Sequence, residues 1–245
     1  MKTTLKRSLL ALSISVSLPV IAQTMFSDVI NVEPTEPVST SIWNDDKAQM
    51  NAFISDLISK MTIEEKIGQL DLQSGTRNVT GPSVNEEYEA QIRRGEVGAI
   101  FNSYGAEWTK KLQTMAVEET RLGIPLIVGH DIIHGHHTIF PQSIGEAASW
   151  DLEAIELASR IAAREAAADG ISWTFAPMAD ITRDPRWGRV SEGAGEDAFL
   201  GSAIAAARVK GFQGEDLSEV DTVMATAKHF VLSLIHISEP TRLTC

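Results

Sequence analysis

The sequence predicts an α/β fold built on a parallel sheet, and three observations carry that prediction. Short, continuous apolar runs alternate with longer stretches of helical spacing. The runs do not alternate apolar with polar, so they read as strands buried on both faces. Three of them also stop abruptly in charged or imidazole side chains. Strands regularly separated by helices pair in parallel, because each helix carries the chain back across the sheet. Two architectures fit this rhythm: a doubly wound sheet, or part of a (β/α)₈ barrel. No Gly-x-Gly-x-x-Gly turn follows the first run, which weakens a dinucleotide-binding reading.

The N-terminus reads as a secretory segment. Lys2, Lys6 and Arg7 precede the apolar stretch "SLLALSISVSLPVIA", which ends in the small residue Ala22. Residues 1–22 would be removed, and residues 23–43 read as a linker or N-terminal arm with Pro34 and Pro37 and no period. From Asp45 to Met61, the residues Met50, Phe53, Ile54, Leu57, Ile58 and Met61 fall at helical spacing. Thr62 and Glu65 then form a capping box for a second, short helix. Leu72–Glu86 is turn-rich, with Gly75, Gly81 and Pro82.

The regular rhythm begins at Gly95. "GEVGAIFN" is the first strand-like run, followed by helical spacing from Glu107 to Thr120. "IPLIVGHD" is the second run. Asp151–Ala168 is a helix with acids in its early turns and Asp169–Gly170 to stop it. "ISWTFAPMAD" is the third run. Ala198–Phe212 is helical and stops near Gly214, and "TVMATAKHF" is the fourth run. Four strand–helix units are visible.

Composition narrows the partners. A formal net charge of −12 argues against nucleic acid, which needs a basic face. Beyond the secretory segment no apolar run is long enough to span a bilayer, so no membrane partner is expected once that segment is removed. Cys245 is the one cysteine, so a secreted domain would have to be stable through its core, without disulfides.

In either parallel architecture, ligands bind at the carboxyl ends of the strands. The second run ends in His130–Asp131. The third ends in Asp180 and leads into "ITRDPRWGRVSEGAGED", and the fourth ends in Lys228–His229. Charge at the end of an apolar strand is costly unless it is paired or meets a ligand. "GHDIIHGHH" raises a metal site, but the spacing matches no familiar zinc pattern and no helix sets two of its histidines on one face. No metal is therefore expected, and His136 and His137 read as loop residues. Asp131 could accept hydrogen bonds from vicinal sugar hydroxyls, or serve as a loop cap or in an internal ion pair. The arginines of "RDPRWGR" should pair in part with Glu192, Glu196 and Asp197. Lys228 and His229, donors facing one cleft, suit an oxygen-rich ligand.

Taken together, these motifs resemble the N-terminal part of glycoside hydrolase family 3, of the periplasmic β-glucosidase kind. The matching stretches run in the family's order from about Asn44 to Phe230. They are "MTIEEKIGQL", "GEVGAIFN", "HDIIHGHHTIFPQSIGEAASWD", "TFAPMADITRDPRWGRVSEGAGED" and "TAKHF". His137 stands where relatives often carry Arg. The resemblance implies that residues 44–231 form the N-terminal part of a (β/α)₈ barrel, a TIM-type fold. It implies exo-acting, retaining hydrolysis of terminal non-reducing β-D-glucosyl residues, without cofactor, in the periplasm or outside the cell. It assigns substrate binding to Asp131, Arg189, Lys228 and His229. The family's Asp nucleophile and Glu acid/base would lie beyond this sequence, so Asp180 and Glu192 gain no catalytic part from it. β-Xylosidase, β-glucan exohydrolase or a non-catalytic sugar-binding relative are the alternatives.

After "KHF" the pattern breaks. "LSLIHISEPTR" resembles one reading frame of a transposase sequencing adapter, so residues 232–245 are expected to be non-native and Val231 the last native residue. An incomplete barrel would leave sheet edges open and an apolar face unlined. The chain as written is accordingly expected not to fold stably and to show no glucosidase activity.

Overall fold

The computed structural model describes residues 40–75 and 87–229, with side chains from residue 47 onward. The secretory segment, the arm up to Val38–Ser39, Gly81 and Pro82, and the tail from Phe230 lie outside the described residues. The chain divides into two units, Met1–Lys60 and Met61–Cys245. In the first, helix α1 spans Thr40–Lys60 and so starts within the expected arm. Along its apolar stripe Leu57 is half-buried, while Phe53, Ile54 and Ile58 are exposed. Among the described residues no helix is long and apolar enough to cross a membrane.

The second unit is built on five parallel strands: β1 (Leu72–Ser74), β2 (Ala99–Phe101), β3 (Ile127–His130), β4 (Trp173–Thr174) and β5 (Met224–Ala225). Their spatial order is their chain order. A doubly wound sheet reverses direction at a switch point, whereas a barrel adds each strand beside the last. The unbroken order therefore selects barrel-type winding over the doubly wound alternative. β2 to β5 fall inside the four apolar runs. β1 is a further strand that the sequence pattern did not single out.

The register explains the burial. Ile100 of β2 pairs with Val128 of β3, and both are wholly buried. Gly129 and His130 of β3 pair with Trp173 and Thr174 of β4, and these with Met224 and Ala225 of β5. The core adds Ile92, Leu112, Met115, Ile171, Phe212 and Val223. Burying each such large apolar side chain contributes about 1.5–3 kcal/mol.

The helices start where their caps dictate. In α2 (Ile63–Gly68) the expected capping box is present: Glu65 N–H donates to Thr62 Oγ1, and Thr62 N–H donates to the Glu65 carboxylate. Short α3 spans Tyr88–Arg93, α4 Ala106–Glu118 and α5 Ser143–Ala147. In α6 (Leu152–Ala168) Asp151 accepts from Ala154 N–H at 2.9 Å, and in α7 (Ala198–Gln213) Asp197 accepts from Leu200 N–H at 2.7 Å. α6 buries Ile155, Ser159, Ala162, Ala163 and Ala166, one stripe of helical period, and its small residues let α7 approach closely. At Gly211 of α7 any Cβ would run into the Glu156 carbonyl of α6.

Candidate functional site

Parallel strands deliver their carboxyl ends to one rim, and three of the charged strand ends meet there. β5 stops at Ala225, but the chain continues beside the end of β4. Lys228 N–H donates to the Pro177 carbonyl at 2.9 Å, and Ala179 N–H donates to the Lys228 carbonyl at 2.7 Å. This pairing carries Lys228 and His229 alongside Asp180. The Lys228–His229 peptide is cis.

Lys228 Nζ reaches back to β3 and donates to Asp131 Oδ1 at 2.8 Å. The lysine side chain is 14% exposed and the aspartate 39%, so the pair sits at the solvent boundary. His229 takes the opposite direction. Its backbone N–H and its Nδ1 both contact Asp180 Oδ2, at 3.0 and 2.8 Å. Asp180 is nearly inaccessible, and these donors compensate the loss of water from its carboxylate. On the far side of the ring, Nε2 lies 3.1 Å from Arg189 Nη1. A carboxylate only accepts and a guanidinium only donates. The imidazole is therefore the Nδ1–H tautomer, donating to Asp180 and accepting from Arg189.

Arg189 is held in turn. Its Nε and Nη2 donate to the two oxygens of Glu192 at 2.7 and 2.5 Å, a bidentate pair. The hydrogen bond to Glu192 raises the Arg189 pKa, and the guanidinium, with help from Lys228, holds the Glu192 carboxyl below its usual range. Asp131, Arg189, Lys228 and His229, the four residues named from sequence, thus form one connected array. Asp180 and Glu192 complete it as acceptors that orient the imidazole and the guanidinium. Of the pairings expected within "RDPRWGR", Arg189–Glu192 is present. Arg186 instead pairs with Asp184, whose carboxyl it pulls down to about 2, and Asp197 serves as the α7 cap.

The histidine-rich loop separates into different roles. His130 packs on Tyr104 with ring centroids 4.7 Å apart, and burial lowers its pKa. His134 Nδ1 contacts the Phe140 carbonyl at 2.9 Å. His136 and His137 both meet Asp169, the residue read from sequence only as a helix stop. The loop is anchored from below by Arg208, 4% exposed, which donates to the Ile133 carbonyl at 2.7 Å and pairs with Glu146. A separate groove of about 550 Å³ is lined by Arg160, Lys210, Glu219 and Asp221. Arg160 there is committed to the Asp221 carbonyl at 2.7 Å, and none of the charged strand-end residues lines the groove.

Residues 62–233 match the glycosyl hydrolase family 3 N-terminal domain. The chain belongs to glycosyl hydrolase family 3. It is 44% identical over 181 residues to a periplasmic beta-glucosidase of Salmonella typhimurium, covering 74% of this chain and 23% of that one. It is 30% identical over 186 residues to a beta-xylosidase of Formosa agariphila, covering 75% of this chain and 21% of the relative. Among solved structures, a beta-glucosidase from Listeria innocua in complex with isofagomine superposes with a TM-score of 0.66 at 38% identity, over 73% of this chain and 25% of that chain. The chain therefore spans about a quarter of the length of these family 3 proteins. Membership accords with the singly wound parallel sheet, since the N-terminal domain of the family is a TIM-type barrel.

Proposed function

We propose that this chain supplies the sugar-holding rim of an exo-acting β-glucosidase that hydrolyses terminal non-reducing β-D-glucosyl residues with retention. The observation that carries the reading is the Asp131–Lys228 and His229–Arg189 array, assembled from three strand ends on one rim of a family 3 domain. Asp131 offers carboxylate lone pairs to neighbouring hydroxyls. Lys228, with three N–H donors and one committed to Asp131, offers donors beside them. A hydroxyl both donates and accepts, so alternating acceptor and donor groups suit vicinal sugar hydroxyls.

Retaining hydrolysis needs two carboxyl groups, a nucleophile and an acid/base. In this reading both come from the part of the relatives' length that the chain does not span. Asp180 and Glu192 are excluded on chemistry: one is buried under His229, the other is clamped by Arg189. The reaction requires no cofactor. The basic, then apolar N-terminus and the name of the Salmonella relative support a periplasmic or secreted location.

The test is a full-length protein carrying this chain, assayed on aryl β-glucosides with the anomer of the first product read by NMR. Turnover yielding β-glucose first, lost on Asp131→Ala, is expected. A first-formed α-anomer, or turnover indifferent to Asp131, would overturn the proposal. A β-xylosidase is the second reading, favoured by relatives so named. It predicts faster turnover of the aryl β-xyloside than of the glucoside.

A further inference from the structure

The end of α6 carries two carboxylates, Glu165 in its last turn and Asp169 at its C-cap, four residues apart and therefore on one side of the helix. Both face the loop after β3. Glu165 grips the loop backbone: His137 N–H and Thr138 N–H donate to its Oε2 at 2.9 and 2.8 Å, and Thr138 Oγ1 donates to Oε1 at 2.6 Å. That grip presents the two neighbouring imidazoles to the other carboxylate. His136 Nε2 and His137 Nε2 each lie 2.8 Å from the same atom, Asp169 Oδ2.

Asp169 is itself fixed. Its carbonyl accepts from Gly105 N–H at 3.1 Å and from Thr109 Oγ1 at 3.0 Å. His136 is fixed by ring contacts with Tyr104 at 5.2 Å and His130 at 5.9 Å, and its side chain is 4% exposed. His137 is 62% exposed and leaves one side of the group open to solvent. The group also sits at the negative end of the α6 dipole, which favours a cation.

We propose that His136, His137 and Asp169 form a binding site for a divalent transition-metal ion of the zinc class. Two imidazoles and one carboxylate with an open fourth position make a suitable set, and all three ligand atoms lie within 4.8 Å of one another. Around a tetrahedral zinc with bonds of about 2.0–2.1 Å, neighbouring ligand atoms stand roughly 3.3 Å apart, so each of the two 2.8 Å imidazole–carboxylate spacings opens by about half an ångström. On binding, each Nε2 lone pair bonds the ion, and the two Nε2 protons now donated to Asp169 move each to its own ring's Nδ1 or to solvent. The ion would clip the loop after β3 to the end of α6, a structural role independent of the sugar-holding array.

The test is equilibrium dialysis of a full-length protein carrying this chain against Zn²⁺, with Co²⁺ absorption reporting coordination. One ion per chain is expected, undisturbed by excess Mg²⁺ or Ca²⁺, which prefer all-oxygen sites. His137→Ala and Asp169→Asn should each weaken binding by at least about tenfold, a loss that even outer-shell substitutions can produce. His134→Ala should leave it unchanged. Absence of binding would overturn the site. So would binding that Asp169→Asn leaves intact, because the histidine-rich loop would then take the metal in any conformation.

Discussion

Lys228 and Asp131, 97 positions apart in sequence, meet at 2.8 Å where β3 and the extension of β5 reach the rim. The ammonium orients the carboxylate, and the carboxylate keeps its second oxygen for a ligand. Asp131→Ala should remove that acceptor without disturbing the core. A hydrogen bond to a charged group contributes about 1.5–3 kcal/mol, so kcat/KM on an aryl β-glucoside should fall by roughly 10–150-fold in the full-length protein. The urea midpoint should barely move. Lys228→Arg should not substitute fully, because a planar fork cannot take the place of a compact ammonium.

Glu192 gives the array an acid limit. Its carboxyl is held below the ordinary value of about 4.3 by the bidentate hydrogen bonds from Arg189. A depressed folded pKa means stability that is fully present above the unfolded value and lost as pH falls through the folded one. The difference in urea midpoint between the full-length protein and its Glu192→Gln variant should therefore be constant near neutrality. It should shrink as pH drops below about 4, vanishing when Glu192 is protonated in both states. A difference that grows on acidification would contradict the pairing.

Much of the rim was legible because apolar runs that stop in charge are unusual on physical grounds, and Asp131, Asp180, Lys228 and His229 all stood at such stops. The capping pair Thr62–Glu65 was legible because it is local. What escaped was either too short or too distant. β1, Leu72–Ser74, has three residues and one buried side chain, and it abuts Gly75, so it reads as part of a turn. α3 has six residues and no side-chain cap. Asp169 reads locally as a helix stop, and its contact with His136 arises only when α6 folds back on the loop. No spacing rule links two such segments.

Gly211 marks the closest approach of α6 and α7. A methyl group there meets the Glu156 carbonyl, the Ser159 side chain and the Arg160 backbone, so the helices must separate. Overpacking of this kind costs about 1–3 kcal/mol, against the roughly 0.8–1 kcal/mol that alanine would gain by its better helix propensity, so the net loss is up to about 2 kcal/mol. Gly211→Ala should lower the urea midpoint accordingly. Gly188→Ala, where a Cβ meets nothing, serves as the control.

Arg208 and Glu146 form the buried pair under the loop that carries Asp131. Burial lowers the Arg208 pKa and raises that of Glu146, and each charge offsets the other's loss of water. Arg208→Met removes the Ile133 carbonyl's donor and leaves Glu146 without its cation. Breaking a buried pair on one side costs about 3–5 kcal/mol. The double substitution Arg208→Met with Glu146→Leu should recover most of that loss, because an apolar pair needs no compensation. It should not recover the bond to Ile133, so the loop would remain less constrained. In the full-length protein the expected result is a urea midpoint near that of the parent for the double variant, with a KM for the aryl glucoside still raised. A KM restored together with stability would show that the pair acts on packing alone, and that the Arg208–Ile133 bond does not help to position Asp131.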